Sequence, residues 1–252
     1  MLKKIFRSFG YDLVKAKNKV DNNGGVPIDI IDNDFLELFR KCRPFSFTGI
    51  IPMFALYSSV RYILEKNIDG DLVECGVWRG GSAMLMAHTL MKCGNTERKI
   101  FLYDTFEGMS EPIVHDENMH GKKAKELLSQ QDKTAGKNVW CYSTLDEVKK
   151  NILSTGYPEK NVVFVKGKVE DTIPTAVPEK ISLLRLDTDF FESTYHELLH
   201  LFPLLREKGI LIIDDYGYWK GARKAVDNYF SEKKIPVLLN RIDYTVRLAI
   251  KN

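Results

Sequence analysis

The 252-residue chain has few cysteines, no long apolar run and almost no excess of either charge, and each shortage removes a class of function. Its four cysteines, Cys42, Cys75, Cys93 and Cys141, are scattered without a CxxC pair. That spacing predicts buried free thiols in a reducing compartment. The longest apolar stretches, such as ISLLRL and GILII, are strand-sized. They fall far short of the roughly 20 residues that span a bilayer, so no transmembrane segment is expected. Basic and acidic residues number 37 and 34, a net charge of +3, which gives no reason to expect nucleic acid as a partner. A GxGxxG dinucleotide fingerprint is missing too, as are internal repeats and low-complexity tracts. The opening MLKKIFRSFGYDLVKAKNKV has an early basic pair but neither an apolar core of about 7–15 residues nor a small-residue cleavage site. A cytoplasmic protein is therefore expected, with this stretch as a solvated arm or a weak amphipathic helix.

Hydrophobic residues make up 44% of the chain and charged residues 28%, which suits one α/β domain with a short extension. The expected organisation is a basic arm over 1–25, a helical lid over 26–70 and one α/β domain over 71–252. In the lid, FLELFRKC and MFALYSSVRYILEKN carry apolar residues at helical spacing. From residue 71 the strand-like runs DLVECGV, KIFLYDTF, NVVFVKG, ISLLRLD and GILIID alternate with helical segments. Such alternation predicts parallel pairing in a doubly wound sheet covered on both faces. The tail, PVLLN and YTVRLAIK separated by RID, predicts an antiparallel hairpin. A mostly parallel sheet closed by an antiparallel C-terminal strand is the Rossmann-like layout of class I methyltransferases, whose ligands lie at the carboxyl ends of the strands.

The strand ends carry the chemistry. The first runs into ECGVWRGGSAML, where Glu74 could bind an ammonium or hydroxyl and Gly76, Gly80 and Gly81 would let the backbone approach a ligand. A merely structural glycine turn is the competing reading. The second strand ends in Asp104 and Thr105, placing an acid where ribose hydroxyls could be accepted, or where it simply caps a turn. The third leads to Gly167 and Glu170, an adenine wall or a surface turn. Asp187 ends the fourth strand and Asp214 with Asp215 the fifth, with Asp189 as a substitute for Asp187 if the strand runs longer. Neighbouring strands lie about 4.8 Å apart, so the three carboxylates can converge and offer oxygen-only ligands to a hard cation such as Mg²⁺. The alternative is two caps and a solvated acid.

The stretches GDLVECGVWRGGSAMLMA, LYDTFEGM, LRLDTDFFEST and ILIIDDYGYWKGARKAVDNYF resemble the TylF/MycF, or macrocin-type, family of metal-dependent O-methyltransferases. That resemblance implies S-adenosylmethionine and Mg²⁺ as cofactors and a hydroxyl of a sugar or glycosylated small molecule as acceptor. It implies that Glu74, Gly76, Gly80, Gly81 and Ser82 hold the methionine end and that Asp104 holds the ribose. Asp187, Asp214 and Asp215 would bind the metal, with Asp187 as general base. It also implies a homo-oligomer. Before the first strand the chain departs from the family pattern, reading FTGIIPMFAL where relatives carry a Tyr-Thr-Met stretch and a Glu-Arg pair. Two other functions compete: an NAD-dependent oxidoreductase or epimerase of a sugar nucleotide, opposed by the missing GxGxxG, and an inactive binding protein, opposed by the retained acids. His115 and His120 fall in a polar stretch that could reach the acceptor.

Overall fold

The computed structural model describes residues 25–252, so all but the last residue of the expected basic arm lies outside the described residues. The chain divides into two units, Met1–Ile31 and Asp32–Asn252. Of the first, the described part is a turn in which Ile30 N donates to Pro27 O at 3.0 Å. The second carries all the elements named below.

Helix α1 (Asn33–Cys42) starts where the Asp32 carboxylate accepts from Phe35 N at 3.0 Å, satisfying one of the free amides of the first turn. It buries Phe35, Leu38 and Cys42 at helical spacing, and α2 (Ile50–Glu65) buries Met53, Leu56, Val60 and Ile63 in the same way. Both pack against α3 (Gly81–Lys92), the helix that follows the first strand.

The sheet has seven strands in the order β3-β2-β1-β4-β5-β7-β6. Strands β1 (Asp71–Cys75), β2 (Ile100–Asp104), β3 (Val162–Lys166), β4 (Ile181–Leu186) and β5 (Leu205–Ile213) are parallel. β7 (Arg247–Ile250) runs antiparallel to β5, and β6 (Asn240–Arg241) antiparallel to β7. Every residue of β4 is buried, as expected for a central strand covered on both faces. Its strand order reverses between β1 and β4, where ligands of open α/β sheets bind.

The cysteines and two boundaries differ from the sequence reading: Cys42 and Cys75 are buried, but Cys141 is only half-buried and Cys93, just past the end of α3, is exposed. β5 starts at Leu205 rather than Gly209, because a 3₁₀ turn at Phe202–Leu204 carrying Pro203 stops α7 (Phe191–Leu201) early. The expected strand PVLLN contracts to Asn240–Arg241, since Pro236 donates no amide and Leu238, 75% exposed, has no face to pack on. Between β2 and α5 (Leu145–Leu153) lies a long connection whose one α-helix is α4 (Ala124–Ser129). It is tied down by Asp116, which accepts from Phe191 N at 2.8 Å, and by a bridge between Asn118 and Trp219 ahead of α8 (Lys220–Glu232).

Candidate active site

The hydrogen-bond ladder continues one step past the strand ends and aligns the residues that follow. Gly76 N donates to Tyr103 O, Asp187 N to Cys75 O, Asp214 N to Leu186 O and Gly167 N to Asp104 O, all at 2.8–3.0 Å. Above them opens a cavity of about 530 Å³. Gly76, Gly81, Ser82, Asp104, Thr105, Gly167, Glu170, Asp187, Asp214 and Asp215 line it, whereas Glu74 and Gly80 do not. Gly80 turns the chain into α3 with φ +89°. Gly76, at φ +82°, has no room for a side chain: a Cβ there would stand 2.0 Å from Asp187 O. That contact brings the ends of β1 and β4 together.

Arg185, in register beside Glu74, sits at the centre of the acids. Its guanidinium donates to Glu74 Oε1 at 2.7 Å, Asp187 Oδ2 at 2.6 Å, Asp214 Oδ1 at 2.7 Å and Thr48 Oγ1 at 3.1 Å. Arg185 and Glu74 are each 1% exposed, so this is a buried charge network, partly balanced within itself. Part of the repulsion expected between Asp214 and its neighbours is thus met by the protein. The remainder is not: Asp189 and Asp215 adjoin these acids, and Arg185 bonds only Glu74, Asp187 and Asp214. Burial first, opposed by Arg185 and reinforced by Asp214 and Asp215, pushes the Asp187 carboxyl well above the usual range. Burial and the adjacent Asp189 do the same to Asp215, and Asp189 itself, mainly by burial, is raised to about 7. One oxygen from each of Asp187, Asp214 and Asp215 lies within 4.8 Å of the others. Hard oxygen donors carrying uncompensated negative charge fit a divalent cation.

Asp104 has a second task besides lining the cavity. Its Oδ2 accepts from Val77 N at 2.7 Å and Trp78 N at 3.1 Å, and its Oδ1 from Phe106 N at 2.7 Å. Burial raises its carboxyl while these amides oppose the rise. It pins the β1–α3 turn against β2, which is the capping role that the sequence left open beside ribose binding. Glu74 reaches the site only through Arg185, and its Oε2 is buried without a partner.

Over the cavity lie two segments outside the sheet. One is residues 45–48; the other is the connection between β2 and α5, contributing Met109, Lys137, Val139 and Cys141. His115 and His120 belong to that connection but do not line the cavity; His115 instead packs edge-on to Phe191. Sequence reasoning missed Arg185, although an arginine inside the apolar run ISLLRL was a visible anomaly. It also missed the roof, whose irregular backbone follows no period.

Residues 43–248 match the macrocin-O-methyltransferase (TylF) family. The chain belongs to that family. Among relatives of macrocin-O-methyltransferase, the chain is 31% identical to demethyldecarbamoylnovobiocin O-methyltransferase of Streptomyces niveus over 77% of its own length and 71% of that protein. It is 34% identical to a rhamnosyl-tetracenomycin 4'-O-methyltransferase of Streptomyces olivaceus, covering 74% of this chain and 67% of the other. In structure it resembles the O-methyltransferase NovP, with a TM-score of 0.73 at 28% identity and 82% of each chain covered. The macrocin-O-methyltransferase fold of this chain is thus that of an S-adenosylmethionine-dependent O-methyltransferase.

Proposed function

We propose that this methyltransferase acts on a sugar hydroxyl that has a hydroxyl neighbour, with Mg²⁺ held by Asp187, Asp214 and Asp215. The relatives named above, which methylate novobiocin- and rhamnosyl-type compounds by name, support the acceptor class. The observation that carries the metal is the convergence of the three carboxylate oxygens within 4.8 Å at the cavity floor. Bound there, a divalent cation supplies Lewis acidity to the acceptor hydroxyl, and S-adenosylmethionine supplies the methyl group.

The chain's own residues do the rest. Gly76, Gly81 and Ser82 form the cradle for the methionine end; Thr105, Gly167 and Glu170 border the ribose and adenine side; Asp104 holds that cradle in place and offers its free lone pairs to ribose. Arg185 fixes Asp187 and Asp214 so that each keeps one oxygen for the cation. With Asp187 so engaged, the proton role expected of it falls in this reading to Asp189. Asp189 lines the cavity, pairs with no cation among the described residues and stands within hydrogen-bonding reach of Asp215. Asp189 would receive the proton of the acceptor hydroxyl as that oxygen accepts the methyl group and the sulfonium becomes a thioether. Residues 45–48 and the β2–α5 connection act as the lid that excludes water. A cytoplasmic homo-oligomer completes the proposal.

The experiment is transfer of a labelled methyl group from S-adenosylmethionine to a panel of glycosides and sugar nucleotides, before and after chelation and with Mg²⁺ restored. Full activity after exhaustive chelation would sink the metal assignment. A proton role for Asp189 requires that Asp189→Asn lose turnover at saturating Mg²⁺, whereas Asp187→Asn should raise the Mg²⁺ requirement.

A further inference from the structure

Between Asp187 and Phe190 the backbone turns sharply as it leaves β4. Phe190 N donates to Thr188 O at 2.8 Å across Asp189, whose φ is +69°. A three-residue turn closed over a left-handed residue is the strained hand of the γ-turn, kept only where its flanks enforce it. Through this turn Asp187 and Asp189, two residues apart, both line the cavity floor. Its two flanks are tied to buried groups. On one side Phe190, 3% exposed, packs edge-on to Trp219 with centroids 5.5 Å apart. On the other, Thr188 Oγ1 donates to Glu197 Oε1 at 2.9 Å, a bond that fixes the rotamer of a β-branched side chain. Ser193 Oγ, 3.2 Å from Phe190 O and 3.4 Å from Thr188 O, closes the turn onto α7.

Glu197 is a costly anchor. It is fully buried on α7, its neighbour Cys75 is a buried thiol, and its Oε2 has no partner. Among the described residues no cation pairs with it. An apolar side chain of its length would suit the core better, because burying a polar atom without a partner costs free energy. The hydrogen bond Glu197 does accept comes from the turn that carries Asp189.

We propose that Glu197 is a positioning residue for methyl transfer, clamping Thr188 so that the strained turn presents the Asp189 carboxylate to the acceptor hydroxyl. This rests on the reading of Asp189 as proton acceptor above. Asp187 is held separately, by Arg185 at 2.6 Å, so the clamp governs proton removal and not the cation.

The test compares Glu197→Met, Thr188→Val, their combination and Glu197→Gln in the full chain. Amide hydrogen exchange reports the turn without any acceptor. The Phe190 amide should exchange about tenfold faster in Glu197→Met and Thr188→Val, and as in wild type in Glu197→Gln, which keeps the acceptor for Thr188. The urea midpoint of Glu197→Met should stay at or above that of wild type, because a partnerless carboxyl is removed; a merely structural glutamate would lower it. With the best acceptor of the glycoside panel above, kcat should fall about 10- to 100-fold in either single variant and no further in the double. Glu197→Gln should retain turnover, and half-saturation by Mg²⁺ should hold throughout. Unchanged Phe190 exchange in Glu197→Met overturns the clamp whether or not an acceptor is found. So does undiminished kcat in that variant, a lowered urea midpoint, additive losses in the double, or a raised Mg²⁺ requirement. Full turnover in Asp189→Asn with the exchange result intact would instead strike the proton role itself, and with it the catalytic purpose of the clamp.

Discussion

The floor and the roof of the cavity are built by opposite means. The floor, at the ends of β1, β4 and β5, consists of buried charge: Arg185 holds Glu74, Asp187 and Asp214, and a carboxylate pins the neighbouring turn through three backbone amides. The roof, residues 45–48 and the β2–α5 connection, consists of stacked rings and lysines in contact with solvent. Taking charges out of water is expensive unless partners replace the lost hydration, so floor residues can change only together. Roof residues change at little cost to folding. On the proposed function, reaction chemistry would reside where substitution is costly and acceptor choice where it is cheap.

The largest effect should come from removing the floor's one cation. Arg185→Met fills similar space but leaves three carboxylates facing one another, and removing one partner of a buried pair costs about 3–5 kcal/mol. Urea unfolding should show that loss, together with loss of activity. Stability within about 1 kcal/mol of wild type would mean the acids are neutralised by protonation, and the contrast between floor and roof would disappear.

The next test divides the floor itself. Asp214→Asn gives up a charge-assisted bond to Arg185 and should lose about 1.5–3 kcal/mol of stability. Asp215 has no bond to Arg185 and faces Asp189, so Asp215→Asn relieves repulsion and should keep or slightly gain stability. Both should lose about 100-fold or more in methyl transfer, because each removes an anionic ligand from the proposed metal, and added Mg²⁺ should restore part of it. Equal stability of the two variants would show that Arg185 does not discriminate between them.

Carboxylate repulsion alone would make Asp214→Asn the change that keeps or gains stability; the bond to Arg185 moves that expectation to Asp215→Asn. The difference marks what the sequence could convey. Strand positions, their parallel order and the acids at their ends follow from alternation and from the period-two and 3.6-residue patterns, which depend only on neighbours along the chain. The partner of Asp214 lies 29 residues away and is set by register between β4 and β5, which no local pattern encodes. The same holds for Asp104, whose amide partners are 26 and 27 residues away in the β1–α3 turn. In the roof no period exists to read, since Phe106 and Cys141 adopt left-handed backbone and the segment is held by single side chains such as Asp116.

A roof substitution sharpens the contrast from the other side. Phe47→Ala removes a stacked pair worth about 0.5–1.5 kcal/mol, from a ring already half open to solvent. Stability should fall by no more than that. The KM for acceptor should rise while kcat at saturating acceptor holds, since the ring touches none of the floor carboxylates. A fall in kcat with unchanged KM would place Phe47 in the chemistry and erase the division.

The last test concerns an acid beneath the floor that Arg185 does not reach. Glu197 on α7 is fully buried, its Oε1 accepts from Thr188 Oγ1 at 2.9 Å, and its Oε2 has no partner. Burial pushes its carboxyl well above the usual range. The folded protein therefore keeps this proton where the unfolded chain, with an ordinary carboxyl near pH ~4.3, has released it. Between those two pKa values the native state binds more protons, so stability falls as pH rises. Glu197→Gln keeps the volume and an acceptor for Thr188 but has no proton to lose. The variant should gain on wild type as pH rises above about 5, by up to about 1.4 kcal/mol per pH unit until the buried carboxyl titrates, as measured by urea unfolding at each pH. Parallel stability profiles would show that Glu197 titrates as it does in the unfolded chain, and that burial beneath the floor carries no electrostatic cost apart from the Arg185 network.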